Sequence, residues 1–336
     1  MSVFKKLGID LGTANSLVWE VDKGLILNEP TVVAISVEER KVLAVGKEAK
    51  LMLGRTPGFI AASRPMRDGV IADYEITEAM LRYFIQKACG KFFFFKPTVM
   101  ICVPAGVTQV EQRAVLDATM SAGARVAYLI DEPLAAAIGA RIPVAEPSGN
   151  MIVDMGGGST EAAVISLGGV VVHRSVRVAG NEIDETIINF LRKKQGVLVG
   201  EQTAERIKIE IGSALPPKKT KTVKVKGRDA IYGLPKTVMV SNIEITEAIQ
   251  APLKQILGTI KGVLEATPPE LVADIIDKGM VLSGGTALLK NIAPFLSENL
   301  SVAIHIVDEP MTSVVKGTAL ALENLDLYKR AIRETK

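Results

Sequence analysis

Two aspartates, Asp10 and Asp154, each stand at the mouth of a turn made of glycines and hydroxyl residues. Asp154 is followed by Met155-Gly156-Gly157-Gly158-Ser159-Thr160, and Asp10 by Leu11-Gly12-Thr13-Ala14-Asn15-Ser16. Glycine has no Cβ, so successive backbone N–H groups can converge on one anion. A carboxylate beside such a cradle suits the chemistry of a bound phosphate. For the triple glycine alone, a hairpin turn with a chance aspartate is an equal alternative. The recurrence of the design at Asp10 favours the phosphate.

The elements around these turns decide which kind of phosphate site they make. In dinucleotide and Walker sites the glycine loop opens a helix, whose N-terminus holds the phosphate. Here each turn joins two strand-like runs, residues 150–153 with 162–165 and residues 7–9 with 17–21. A second echo lies further on. Asp131-Glu132-Pro133 and Asp308-Glu309-Pro310 each end a strand-like run and open a small-residue helix reaching Gly139 and Gly317. Each half therefore carries an acidic hairpin and an Asp-Glu-Pro helix start, the mark of a duplicated module whose halves face each other.

Composition agrees. The 336 residues suffice for two domains of roughly 150 each. Hydrophobic residues make up 48% with few aromatics, as in sheets buried on both faces. The net charge of +3 is small and dispersed, so no nucleic-acid partner is expected. The densest basic run, Lys218 to Arg228, alternates with Thr and Val and reads as the solvated face of a small sheet. Cys89 and Cys102 form neither a disulfide framework nor a metal set. The first six residues leave no room for a signal peptide, and no apolar run nears the ~20 residues of a spanning helix. A cytoplasmic chain is expected.

Along the chain, short strands at 30–35 and 42–45 and a short helix near 47–53 form a small inserted subdomain. A helical period covers 76–88. A buried-type strand follows at 99–103, then a helix from Thr108 to about Ser121 and a strand at 126–130. The second half is expected to hold helices at 181–194 and 202–214, then Lys-rich strands to 240. One helix over 246–264 carries Pro252 in or near a kink, and a strand and glycine turn occupy 280–287. A strand at 302–307 and a helix from about 312 complete it, and charged residues 330–336 are expected to fray. His173 and His305 stand isolated in strand patterns and read as structural.

Five stretches in order carry a resemblance: Asp10 to Ser16, Asp131 to Gly139, Asp154 to Thr160, Ser283 to Ala287 and Asp308 to Gly317. With them the chain resembles the actin, sugar-kinase and Hsp70 ATPase superfamily over essentially its whole length. Within it, Ile-Asp-Leu-Gly-Thr-Ala-Asn at 9–15 and Val-Asp-Met-Gly-Gly-Gly-Ser-Thr-Glu at 153–161 resemble the bacterial actin-like MreB family. So do Leu-Asn-Glu-Pro-Thr-Val-Val-Ala at 27–34 and Asp-Glu-Pro-Leu-Ala-Ala-Ala-Ile-Gly at 131–139. The resemblance implies an α/β fold of two duplicated ribonuclease-H-like domains with a nucleotide in the cleft between them. Domain I would be 1–145 plus 311–336, with a small subdomain at about 30–71. Domain II would be 146–310, with its subdomain at about 181–242. ATP-dependent, membrane-associated filaments organising wall synthesis and rod shape are implied, with membrane-bound morphogenesis and wall-synthesis proteins as partners. A sugar or acetate kinase, or a chaperone-type ATPase, is the alternative; each would bring segments that this sequence does not display.

By the same resemblance, Thr13, Ala14, Asn15, Gly156, Gly157 and Gly158 donate to phosphates. Asp10 and Asp154 face each other and hold a hydrated Mg²⁺, which keeps most of its waters. Glu132 orients the attacking water; the plain alternative is an acid stabilised by the helix dipole, the role expected of Glu309. Gly284, Gly285, Thr286 and Ala287 form the adenosine turn, with Thr286 where a third small residue is common. Glu205, Arg206, Ile207 and Lys208 lie on a helix lining the adenosine pocket. Glu205 and Lys208 share a face, for which a surface ion pair is the alternative.

One stretch stands apart. Phe92, Phe93, Phe94 and Phe95 sit between Lys91 and Lys96, bracketed by Gly90 and Pro97. The alternatives are a core plug and a surface loop, since loops lie outside. The lysines suit a loop tip meeting anionic lipid. The residues before the first strand are too few for the amphipathic anchoring helix of many family members, so this loop is expected to attach the chain peripherally to the cytoplasmic face of the membrane.

Overall fold

The structure is a computed structural model that describes residues 5–67, 69–90 and 95–334. The first half runs β1 (Lys6–Leu11), β2 (Asn15–Glu20), β3 (Gly24–Pro30), β4 (Val33–Ser36), β5 (Val42–Val45), α1 (Lys47–Met52), β6 (Ile60–Ser63), β7 (Met66–Arg67) and β8 (Val70–Ile71). It continues with α2 (Tyr74–Cys89), β9 (Thr98–Val103), α3 (Gln109–Ser121), β10 (Val126–Asp131) and α4 (Glu132–Gly139). The second half opens with β11 (Asn150–Met155), β12 (Thr160–Ser166), β13 (Gly169–Val176), α5 (Gly180–Phe190), β14 (Val197–Leu198), α6 (Glu201–Ile211), β15 (Thr222–Asp229) and β16 (Pro235–Ser241). Then come α7 (Asn242–Ala248), α8 (Gln250–Ala266), α9 (Pro269–Lys278), β17 (Met280–Ser283), α10 (Ile292–Leu300), β18 (Ile304–Ile306), α11 (Ser313–Glu323), α12 (Leu325–Tyr328) and β19 (Arg333–Glu334).

Two mixed sheets organise these elements, in the orders β19-β10-β9-β1-β2-β3 and β13-β12-β11-β17-β18. In each, an antiparallel hairpin lies beside parallel strands: β1 pairs β2 and β9, and β11 pairs β12 and β17. The duplicated plan read from the two acidic turns is thus present in the pairing. Central strands β9 and β11 are buried along their whole length, which is why they read as continuous apolar runs. Each half also carries a three-stranded sheet, β5-β4-β6 and β14-β15-β16. Along Thr222–Asp229 buried and exposed residues largely alternate, so the Lys-rich run is a half-solvated strand face.

Each half has its own apolar core. A third core lies between the two sheets, built from α4 and α11 with Met100, Ile130, Ile152 and Ile165. The two helices cross at glycines. A Cβ on Gly139 would stand 1.8 Å from the Ser313 carbonyl oxygen, and one on Gly317 1.7 Å from that of Ala135. Only hydrogen fits there.

Polar contacts also join the halves through the small subdomains. Lys50 Nζ lies 3.2 Å from Glu205 Oε2, and Arg64 donates to Glu201 at 2.7 Å. The Gln202 amide donates to the Lys50 carbonyl at 3.1 Å.

Several expectations need correction. The helix expected over 246–264 is two helices broken at Ile249, and Pro252 sits in the first turn of α8, where a missing N–H costs nothing. The helix from 181 ends in a π-helical turn over Leu191–Gln195. Helix α9 had no counterpart in the sequence reading. The glycine turn after β17 continues as a short 3₁₀ turn, Gly285–Leu288. In the tail expected to fray, Arg333–Glu334 pairs antiparallel with β10. Of the phenylalanine run, Phe92, Phe93 and Phe94 lie outside the described residues; Phe95 is 55% exposed. Among the described residues no helix is long and apolar enough to cross a membrane.

Candidate functional site

A cavity of about 350 Å³ lies between the halves, within the range of small-ligand sites. Both glycine turns line it. The turns abut so closely that a Cβ on Gly157 would come within 2.5 Å of Ala14 Cβ, and one on Gly158 within 2.7 Å of the Thr13 hydroxyl. Glycine is required at both positions by this approach.

In each turn the carbonyls, which would repel a phosphate, are held by protein donors. Thr31 donates its hydroxyl to the Gly12 carbonyl at 2.6 Å and its N–H to that of Ala14 at 3.0 Å. Thr286 donates to the Gly156 carbonyl at 2.7 Å, and the Asn181 N–H to that of Gly157 at 2.8 Å. The start of α5 is thereby fixed to the second turn. The Thr13 hydroxyl accepts from the Gly69 N–H at 3.2 Å.

Asp10, Glu132 and Asp154 all line this cavity. Asp10 ends the apolar run of β1, Asp154 that of β11, and Glu132 opens α4. Burial, with the Asp154 charge second, pushes the Asp10 carboxyl up to about 7. Burial also raises Glu132 well above the usual range, helped by the charges of Glu161, Asp154 and Asp10. Asp154 rises by burial against the pull of Ser283, whose hydroxyl donates to Asp154 Oδ1. Three carboxyls are thus crowded into one buried place, where the charge of Asp154 disfavours that of Asp10 and Glu132 while Glu132 favours the charge of Asp154. A cation would relieve them. Among the described residues no group of three or more His, Cys, Asp or Glu is placed to hold a metal ion; Mg²⁺, which usually keeps several waters and takes one or two carboxylates, suits such a site.

On the other wall, Glu205 and Lys208 both line the cavity but do not pair with each other. Glu205 faces Lys50, and Lys208 donates to Asp184 Oδ2 and to the Gly180 carbonyl, both at 2.9 Å. Gly284, Gly285 and Thr286 line it as well. Three expected residues do not. Ile207 is fully buried in the core of the second half, and Ala287 is 1% exposed in that same core. Arg206 pairs with Glu210 one helical turn on, at 3.2 Å. A contiguous stretch of a helix cannot all face one cavity, because successive residues are turned about 100° apart.

Sequence reasoning missed Asp184 and Glu161. Asp184 lines the cavity, and burial raises it to about 6 despite Lys208. Its Oδ1 is buried with no hydrogen-bond partner among the described residues. The signal was available: Asp184 lies between Ile183 and Ile187 on the buried side of α5. Glu161 is 3% exposed and opposite Asp154 in the β11–β12 ladder.

A family model described as "MreB/Mbl protein" matches residues 4–330. The chain belongs to the MreB/Mbl family. It is 50% identical to "Cell shape-determining protein Mbl" of Bacillus cereus, covering 98% of this chain and 99% of that protein. It is also 50% identical to "Cell shape-determining protein MreB" of Escherichia coli K12, covering 96% of this chain and 94% of that one. Among solved structures it is similar to MreB 5 of Spiroplasma citri bound to AMPPNP, with a TM-score of 0.92 and 32% identity over 98% of this chain and 99% of that one. The fold is the actin-like fold of this ATPase family, and the function of an MreB/Mbl chain is cytoskeletal, in determining cell shape.

Proposed function

We propose that the chain hydrolyses ATP in this cavity and that filaments of ATP-bound copies carry its role in cell shape. The observation behind the reading is the meeting of Asp10, Glu132 and Asp154 at one cavity between two abutting glycine turns. Amides of residues 13–15 and 156–158 hold the phosphates. Asp10 and Asp154 hold Mg²⁺ through its waters, and the ion supplies charge neutralisation at the transferring phosphoryl group. Glu132, as a carboxylate once the charge of the cluster is balanced, accepts a hydrogen bond from the attacking water and aims it. Glu205 and Lys208 lie on the ribose and base side, with Asp184 holding Lys208 in place. The two domains are 1–145 plus 311–336 and 146–310, a division supported by the two separate sheets and by α11 packing against β1.

Filament growth follows if a head-to-tail contact between copies does not close on itself. The phenylalanine run between Lys91 and Lys96 attaches those filaments to the cytoplasmic face of the membrane, near membrane-bound wall-synthesis proteins. Purified protein should release phosphate from ATP only with Mg²⁺ and should sediment as polymer with ATP. A monomer at every concentration, or turnover independent of Mg²⁺, contradicts the reading.

A further inference from the structure

The two-residue strand β19 returns to β10, the strand whose last residue precedes Glu132. Leu129 lies opposite Arg333 and Tyr128 opposite Glu334 in the ladder. Beyond the ladder, Arg333 Nη1 donates to Asp131 Oδ1 at 2.9 Å, and the Tyr128 hydroxyl donates to Glu334 Oε1 at 3.4 Å. Asp131 is the last residue of β10 and caps α4; Glu132 is the next residue. The backbone of Asp131 has the extended geometry of a cap, yet its carboxylate accepts no helix N–H. Pro133, second in the helix, has none to offer. The carboxylate is turned to Arg333 instead.

The chain closes a ring through this pair. Helix α4 leaves β10 and packs on α11, which leads through α12 to β19, and β19 lies beside β10 again. A shift of α4 along α11 must therefore be met between Asp131 and Arg333.

We propose that Arg333 is a positioning residue for ATP hydrolysis: by holding the Asp131 carboxylate it fixes the backbone from which Glu132 reaches into the cavity. The inference rests on the hydrolytic role of Glu132 given above. Arg333 touches neither the cavity nor its turns, so its loss acts on the aim of Glu132 and not on the hold on nucleotide.

The test uses the full chain with Mg-ATP, measuring ATP affinity and the single-turnover rate of bound ATP. R333A should slow the rate roughly 10-fold, part of the ~100-fold that a 1 Å misplacement of a reacting group costs, with affinity unchanged. R333K, which keeps a charge within reach of Asp131, should recover most of the loss, and R333E should recover none. An unchanged rate in R333A overturns the proposal while leaving ATP hydrolysis intact. A loss of affinity that parallels the loss of rate also overturns it, since a merely structural tie would act on both. No turnover in the unaltered protein overturns the hydrolytic reading and this inference together.

Discussion

At the scale of single residues, the cavity is a place where carboxyls are kept together against their own charge. Replacing Glu132 with alanine removes the group that aims water while leaving the phosphate cradle whole. E132A should bind ATP about as well as the unaltered chain and hydrolyse it on the order of 10²-fold more slowly; equilibrium binding beside phosphate release distinguishes the two effects. The same crowding sets a pH dependence. Asp10, Glu161 and Asp184 have folded-state values raised to about 7, about 7 and about 6. An acid whose value is raised by folding is favoured in the fold while protonated, so its contribution is full below the unfolded value and lost as pH rises through the folded one. The nucleotide-free protein should therefore lose thermal stability as pH rises from about 4 to about 7, and Mg-ATP should flatten that slope. Thermal melts across the range would show it, and a nucleotide-free stability that rises over this window would count against the burial of these groups.

Among the elements, what local chemistry specifies was legible in sequence and what packing specifies was not. Thr108 with Glu111 makes a capping box, with the Glu111 N–H donating back to the Thr108 hydroxyl at 3.3 Å, and the helix starts at Thr108 as expected from that residue. The two acidic hairpins were legible because glycine turns and apolar runs state their own conformation. The break at Ile249 was not, since the apolar period carries through it and only the Ser241–Glu244 capping box marks α7 as a separate helix. Strand β19 was hidden because its two residues are charged, and only β10 makes them a strand. Asp184 was hidden for the opposite reason, as a charged residue inside an apolar face. The crossing of α4 and α11 can be tested at this scale. G317A would drive a methyl into the Ala135 carbonyl, and overpacking of this kind costs about 1–3 kcal/mol or more. G258A, where a Cβ meets nothing within 4 Å, should gain up to about 1 kcal/mol from helix propensity. Chemical denaturation of the two variants should move in opposite directions.

For the molecule as a whole, the contacts of Lys50, Arg64 and Gln202 join the two halves beside Glu205, which lines the cavity. Each is partly exposed and worth about 0–1 kcal/mol alone, and together they hold the small subdomains against each other. K50A combined with R64A should speed the exchange of a fluorescent nucleotide by up to roughly 10-fold, and an unchanged exchange rate would mean the mouth opens elsewhere. The proposed membrane attachment belongs to this scale too, because inserting two phenylalanines would contribute about 3–6 kcal/mol and a filament would repeat that many times. F93S with F94S should abolish co-sedimentation with anionic liposomes and leave ATP turnover unchanged; a variant that loses nucleotide binding instead would assign the run to the core. The glycine crossing has a mechanical meaning at this scale. Backbone meets backbone there with no side chain between, so α4 and α11 cannot draw closer, and a turn of one half against the other would have Gly139 and Gly317 as its fulcrum. The small subdomains are the long arms. A slight rotation between the sheets is then magnified at Lys50 and Glu205, and a change too small to see at the phosphates is read as displacement at the outer edge.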